Sequence, residues 1–94
     1  MNENPSYVEC RERLFRAGRA VPVGSVWRHY KGSLYLIEGI NLDSTAFEPR
    51  IGYRPTEQRG VSFSRLMSEW FEVIPLESGR SVPRYISADK PYSS

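Results

Sequence analysis

The chain of 94 residues holds one cysteine, Cys10, and one histidine, His29. A lone cysteine excludes an intrachain disulfide, and one imidazole without a cysteine pair or an Asp/Glu cluster argues against a tight transition-metal site. No apolar run is long enough for a secretory core or a membrane span, so a cytoplasmic location and no membrane partner are expected. The seven glycines are scattered at turns and form neither a Walker-type nor a dinucleotide-binding pattern. Acid-base chemistry would need His29 beside a carboxylate such as Glu48 or Asp43, which sequence spacing does not establish. No catalytic residue and no cofactor is therefore expected, and the residues favour binding over catalysis. Cys10 lies in Glu9-Cys10-Arg11-Glu12-Arg13, where arginines would lower a thiol pKa, but with no second cysteine it reads as an ordinary helical residue.

A large charge excess is also missing. Thirteen Lys plus Arg face eleven Asp plus Glu, a formal +2, too little for broad electrostatic capture of nucleic acid. Lys31 and Lys90 are the only lysines, so eleven of the thirteen cations are arginine. Their planar forks suit a carboxylate or phosphate held at fixed geometry. Twelve aromatics point to one compact, aromatic-rich core, the ceiling for a chain of this length.

The hydrophobic period divides the chain. Residues 5–18 read as a helix with Pro5 in the first turn and Gly18 as the stop, Tyr7, Val8, Leu14 and Phe15 recurring at seven-residue spacing. Its other face carries charges expected to pair as Glu9 with Arg13 and Glu12 with Arg16. From Pro22 the period alternates, with strands expected at 25–30, 34–42, 49–54, 60–64 and 71–76 and a hairpin turn at Lys31-Gly32-Ser33. In the second strand Leu34, Leu36, Ile40 and Leu42 form the expected core face, with Gly39 marking a bend. Ser64 is the expected cap of a single helical turn before the last strand. The whole reads as a mainly β (α+β) domain: a small, SH3-like bent β-barrel of about five strands, with an N-terminal helix and a one-turn helix before the last strand. The expected organisation is a helical extension at 1–21, the barrel at 22–86 and a flexible tail at 87–94.

The run Gly24-Ser25-Val26-Trp27-Arg28-His29-Tyr30-Lys31-Gly32 is followed by Leu34-Tyr35 and, four residues on, Gly39. Then come Glu48-Pro49 leading to Tyr53-Arg54, Met67, Phe71-Glu72, and Gly79 with Val82-Pro83-Arg84-Tyr85. In this order, from Pro22 to Tyr85, the chain resembles the small prokaryotic and phage domain family known as DUF1653. The resemblance implies a compact β-rich domain, often standing alone, and carries no assigned activity. Two runs depart from the family pattern: Leu42-Asp43-Ser44-Thr45 replaces histidine-serine-glutamate-threonine, and Ser62-Phe63-Ser64-Arg65 replaces tryptophan-valine-arginine-proline.

Strand alternation puts Trp27, His29 and Lys31 on one face and Val26, Arg28 and Tyr30 on the other. Arg50 and Arg54 share one face of the third strand, with Ile51 and Tyr53 opposite. If the barrel brings these strands together, Arg28, His29, Tyr30, Lys31, Arg50, Tyr53 and Arg54 form the candidate ligand site. Aromatic rings would stack on a base and guanidiniums would fork around phosphate. The expected partner is a small nucleotide-like molecule held in a pocket; in a phage, such a pocket would sequester a host immune messenger. Two alternatives stay open. One is a protein-interaction module or inhibitor acting through the barrel edge or the N-terminal helix, which would also serve a homo-oligomer. The other is a groove for single-stranded nucleic acid, which the low net charge disfavours.

Overall fold

The computed structural model describes residues 4–88. Helix α1 spans Tyr7–Ala20 and opens with a capping box. The Glu9 N–H donates to Ser6 Oγ at 3.1 Å, and the Ser6 N–H donates to Glu9 Oε1 at 2.9 Å, satisfying two orphan donors at once. With Glu9 committed to the cap, Arg13 donates to the Phe47 carbonyl at 2.9 Å. Neither expected pair, Glu9 with Arg13 or Glu12 with Arg16, is among the ion pairs of the described residues. The helix also runs through Gly18 to a C-cap at Val21. Its end is set by tertiary burial, because Val21 is fully enclosed in the core.

Seven short strands follow: β1 Val26–His29, β2 Leu34–Leu42, β3 Pro49–Pro55, β4 Phe63–Leu66, then helix α2 at Met67–Trp70, β5 Val73–Pro75, β6 Ser81–Pro83 and β7 Tyr85–Ser87. They form a five-stranded antiparallel sheet in the order β4-β3-β2-β1-β7 and a separate β5-β6 hairpin. The domain is an SH3-like, strongly bent, β-rich barrel, with α1 before it and a one-turn helix before the late strands. Its strands exceed the expected five, and no pairing joins the edge strands β4 and β7, so the barrel is not closed by backbone.

Three local expectations are corrected. The fourth strand lies at 63–66 instead of 60–64, so Ser64 stands in it opposite Gly52 and caps nothing. Leu66 is the N-cap of α2 and supplies no side-chain acceptor. Glu48, at the mouth of β3, does so from a distance: its Oε2 accepts from the Ser68 N–H at 2.6 Å. The chain beyond Glu77 also forms two strands. Within the expected tail at 87–94, Ser87 sits opposite Trp27 and the Ala88 N–H donates to the Val26 carbonyl at 2.8 Å; residues 89–94 lie outside the described residues.

The face of β2 is the third correction. A β-bulge between Ile37 and Gly39 shifts its register against β3. Side-chain parity reverses across such an insertion. The residues that reach the core are therefore Tyr35 and Ile37 before the bulge and Ile40 after it, where uninterrupted alternation would select Leu34, Leu36, Ile40 and Leu42. Gly39 takes the bend expected of it, and there it faces Gly52, where an added Cβ would meet the Gly39 carbonyl oxygen at 3.3 Å. Gly32, at φ 112°, turns the β1-β2 hairpin as expected.

The core is built largely of rings. Val21, Trp27, Ile37, Ile51, Tyr53, Trp70 and Tyr85 are buried together. Trp70 stacks on Tyr85 with centroids 3.7 Å apart and planes at 7°, while Trp27 and Tyr53 meet Trp70 edge-on at 5.8 and 5.0 Å. Such ring pairs add about 0.5–1.5 kcal/mol each beyond their area. Among the described residues, no helix is long and apolar enough to cross a membrane.

Replacing Glu48 by alanine should lower unfolding free energy by about 1 kcal/mol, the usual cost of a lost N-terminal cap. Urea unfolding with an unchanged m value measures it. A loss below about 0.3 kcal/mol would show that the contact from Glu48 contributes nothing to holding α2.

Candidate functional site

The seven expected site residues do not form one surface. Arg50 and Arg54 do share the outer face of β3, but each already has an acidic partner. Arg50 Nη1 lies 3.2 Å from Asp43 Oδ1 and its Nε donates to Ser64 Oγ at 2.7 Å. Arg54 Nε lies 3.3 Å from Glu38 Oε2, and its Nη1 donates to the Pro55 and Thr56 carbonyls. β2 runs between β1 and β3, which puts Arg28 more than two strand spacings, over roughly 10 Å, from this pair, because Arg28 stands opposite Leu34 while Arg54 and Arg50 stand opposite Leu36 and Asn41. Tyr53 points the other way, into the core.

The carboxylates once eligible to partner His29 are occupied elsewhere. Asp43 Oδ2 accepts from the Thr45 and Ala46 N–H groups at 3.0 and 2.8 Å. Those backbone bonds, the one from Ala46 foremost, hold its pKa below the ordinary value. Glu48 caps α2. His29 instead meets rings and cations: its ring stands edge-on to Tyr85 at 5.1 Å and lies 4.5 Å from Tyr30. Its Nδ1 accepts from the Lys31 N–H at 3.1 Å, which leaves Nε2 as the protonated nitrogen of the neutral ring. Burial first, then the charges of Arg84, Lys31 and Arg65, push the His29 pKa below 6.5.

The residue that completes this cluster is Arg65, on the edge strand β4 opposite Ile51. Ile51 faces the core, so Arg65 projects from the inner wall of the curled sheet. Hydrogen bonding to Tyr53 is the first cause of a raised Arg65 pKa, with smaller contributions from Tyr85. The Tyr85 hydroxyl in turn lies 3.4 Å from the Tyr53 hydroxyl, and burial pushes its own pKa up. Arg65 Nε is buried without a hydrogen-bond partner, as is Trp70 Nε1. Arg65 has no carboxylate among the ion pairs of the described residues.

This group occupies the seam between β4 and β7, the two edges that no backbone pairing joins. His29, Tyr53, Tyr85 and Arg65 supply one guanidinium, two hydroxyls and a neutral imidazole. Two exposed rings flank them: Tyr30 against His29, and Phe63, across from Tyr53 in the β3-β4 register, at 5.7 Å from it. Lys31 lies over Tyr30, its Nζ 5.8 Å from the ring centroid. Next to the seam, Arg84 bonds the Glu72 carboxylate and the Glu69 carbonyl, while its own carbonyl accepts from the Tyr30 N–H at 2.9 Å. The sequence motifs around His29, Tyr53 and Tyr85, separate along the chain, thus meet in one place.

Arg65 and Tyr85 were not among the sequence candidates. Arg65 was absorbed into an expected helical turn, and Tyr85 closed a segment whose two prolines or glycines in a row of short pieces masked strand alternation. The signal for Arg65 was the alternation of Phe63 and Arg65 against Ser62 and Ser64. Among the described residues, no three of His, Cys, Asp and Glu gather as a metal ion would require.

A family model described as a protein of unknown function, DUF1653, matches residues 25–87. A crystal structure of a DUF1653 protein from Bordetella bronchiseptica is similar to this chain at 27% identity, covering 73% of this chain and 92% of that one with a TM-score of 0.55. A search of curated proteins finds no match.

His29 should titrate below pH 6.5 in the folded protein. Its folded pKa is depressed relative to the unfolded chain, so the unfolded state takes up the proton first and stability falls as pH drops below about 6.5. Imidazole proton NMR measures the midpoint. Arg65→Met should move it upward only part of the way, since burial is the larger cause; an unchanged midpoint would place Arg65 outside the field of the ring.

Proposed function

From the premise that this chain belongs to the DUF1653 family of proteins of unknown function, we propose that it is a non-catalytic binding protein for a small anionic, nucleotide-like ligand. The observation that carries this reading is Arg65: a guanidinium on the inner wall beside the Tyr53 and Tyr85 hydroxyls, with a buried unpartnered Nε and no carboxylate among the ion pairs of the described residues. A phosphate at the seam would give the guanidinium an anion and find further donors in the Tyr53 and Tyr85 hydroxyls. His29, held neutral, adds a donor without adding charge. The exposed rings of Tyr30 and Phe63 offer faces on which a base can stack, and Lys31 supplies a second cation beside Tyr30.

Four of the seven expected residues serve this site: His29, Tyr30, Lys31 and Tyr53. Arg50 and Arg54 are tied to acids on the outer face and contribute to the fold. In a phage, a protein of this kind would act by sequestering a host signal nucleotide.

The test is a thermal-shift series with mononucleotides, dinucleotides, cyclic oligonucleotides and cyclic ADP-ribose isomers at low and high salt. A ligand at about a hundred times its dissociation constant stabilises by roughly 2.7 kcal/mol, and each kcal/mol raises Tm by about 4–8 °C in a domain this small. One nucleotide class should shift the wild type and fail to shift Arg65→Met, while Arg50→Ala and Arg54→Ala keep the response. A shift that survives Arg65→Met would remove the seam as the site, and no shift with any of these probes would reject the nucleotide reading.

A further inference from the structure

A second surface adjoins the seam and shares His29 and Tyr30 with it. The Arg28-Ile86 pair of β1 and β7 projects from the outer face of the sheet, and residues of the separate β5-β6 hairpin border it. Between them is a cleft of about 380 Å³ lined by Arg28, His29, Tyr30, Leu76, Val82, Pro83 and Ile86. Its walls are apolar and open to solvent: Ile86 is 51% exposed, and Leu76 and Tyr30 are each 36% exposed. A cluster of large exposed aliphatics beside a hairpin of its own marks a contact surface more often than a solvated face.

We infer that this cleft docks a partner protein through an apolar side chain that has an acidic residue beside it. Charge selects the partner. Arg28 makes one long contact, from Nη1 to the Gly32 carbonyl at 3.4 Å, and Lys31 makes none to a carboxylate among the described residues. Arg28 lies in β1 on the wall of the cleft and Lys31 on the turn that follows, both placed to meet a carboxylate. The hairpin selects the mode of binding. Pro75 and Pro83 each lack a backbone N–H, so the short β5 and β6 strands are poor templates for an added strand. Recognition falls to side chains entering a pocket, the pattern of an anchor residue with a polar rim.

A display selection of random dodecapeptides against the immobilised full chain tests this inference, with Ile86→Glu as the counter-selection target and Arg28→Glu as a second variant. Both substitutions are at exposed positions, and circular dichroism confirms that each variant is folded. Enriched peptides should share an aliphatic or aromatic residue within two positions of Asp or Glu, and synthetic copies should lose at least tenfold in affinity on each variant. Peptides that bind the variants as well as the wild type, peptides enriched in Lys or Arg, or no enrichment above the counter-selection would each overturn it. Arg65 does not line the cleft, so Arg65→Met should keep peptide binding; its loss there would show that the peptides read the Arg65 site and would overturn the inference.

Discussion

Trp70 and Tyr85 lie face to face across a gap that the backbone leaves open. β4 and β7 are the two ends of a curled five-stranded sheet, and neither pairs with the other. The chain leaving β4 turns at once into α2, whose last residue carries the indole that covers Tyr85 of β7. Side chains thus do what hydrogen-bonded closure does in a complete barrel. The positions of Tyr53, His29 and Arg65 follow from that stack, because each touches one of its two rings or the hydroxyl of Tyr85. So does the need for Glu48: a one-turn helix has little stability of its own, and it must be held at its start if Trp70 is to reach across.

Side-chain closure has a chemical cost and a chemical use. A strand-to-strand ladder satisfies its own polar groups, whereas a seam filled by rings leaves polar tips to find partners. Here the two tyrosine hydroxyls meet each other and a guanidinium, and two N–H groups, on Arg65 and Trp70, are left without acceptors. Buried donors without partners are rare in native proteins. Their presence beside a guanidinium with no carboxylate among the ion pairs of the described residues is what the proposed anion site rests on.

Much of the fold was legible because its signals are local. The change from helical to alternating period near Pro22, the glycine turn after Lys31 and the span of β2 all rest on near-neighbour sterics, and they stand as expected. What was not legible depends on contacts between distant residues. The bulge at Ile37 reverses which face of β2 is buried, and only its pairing with β3 fixes that. Arg50 and Arg54 read as available cations until Asp43 and Glu38 are seen beside them. β6 and β7 have three residues each, too few for a period to declare itself next to Pro83. Of the site, the chemistry near His29 could be read from its neighbours in sequence, while Arg65 acquires its meaning only from the curl of the sheet.

Val21 is enclosed with the aromatic core, and Ala17, on the last turn but one of α1, is 1% exposed. Both residues precede the segment that the family model spans. The unit that recurs among relatives and the unit that folds are therefore different in extent for this chain. A chain begun at the first residue of the matched segment would lack Ala17 and Val21, and the aromatic core would meet water where their side chains now cover it.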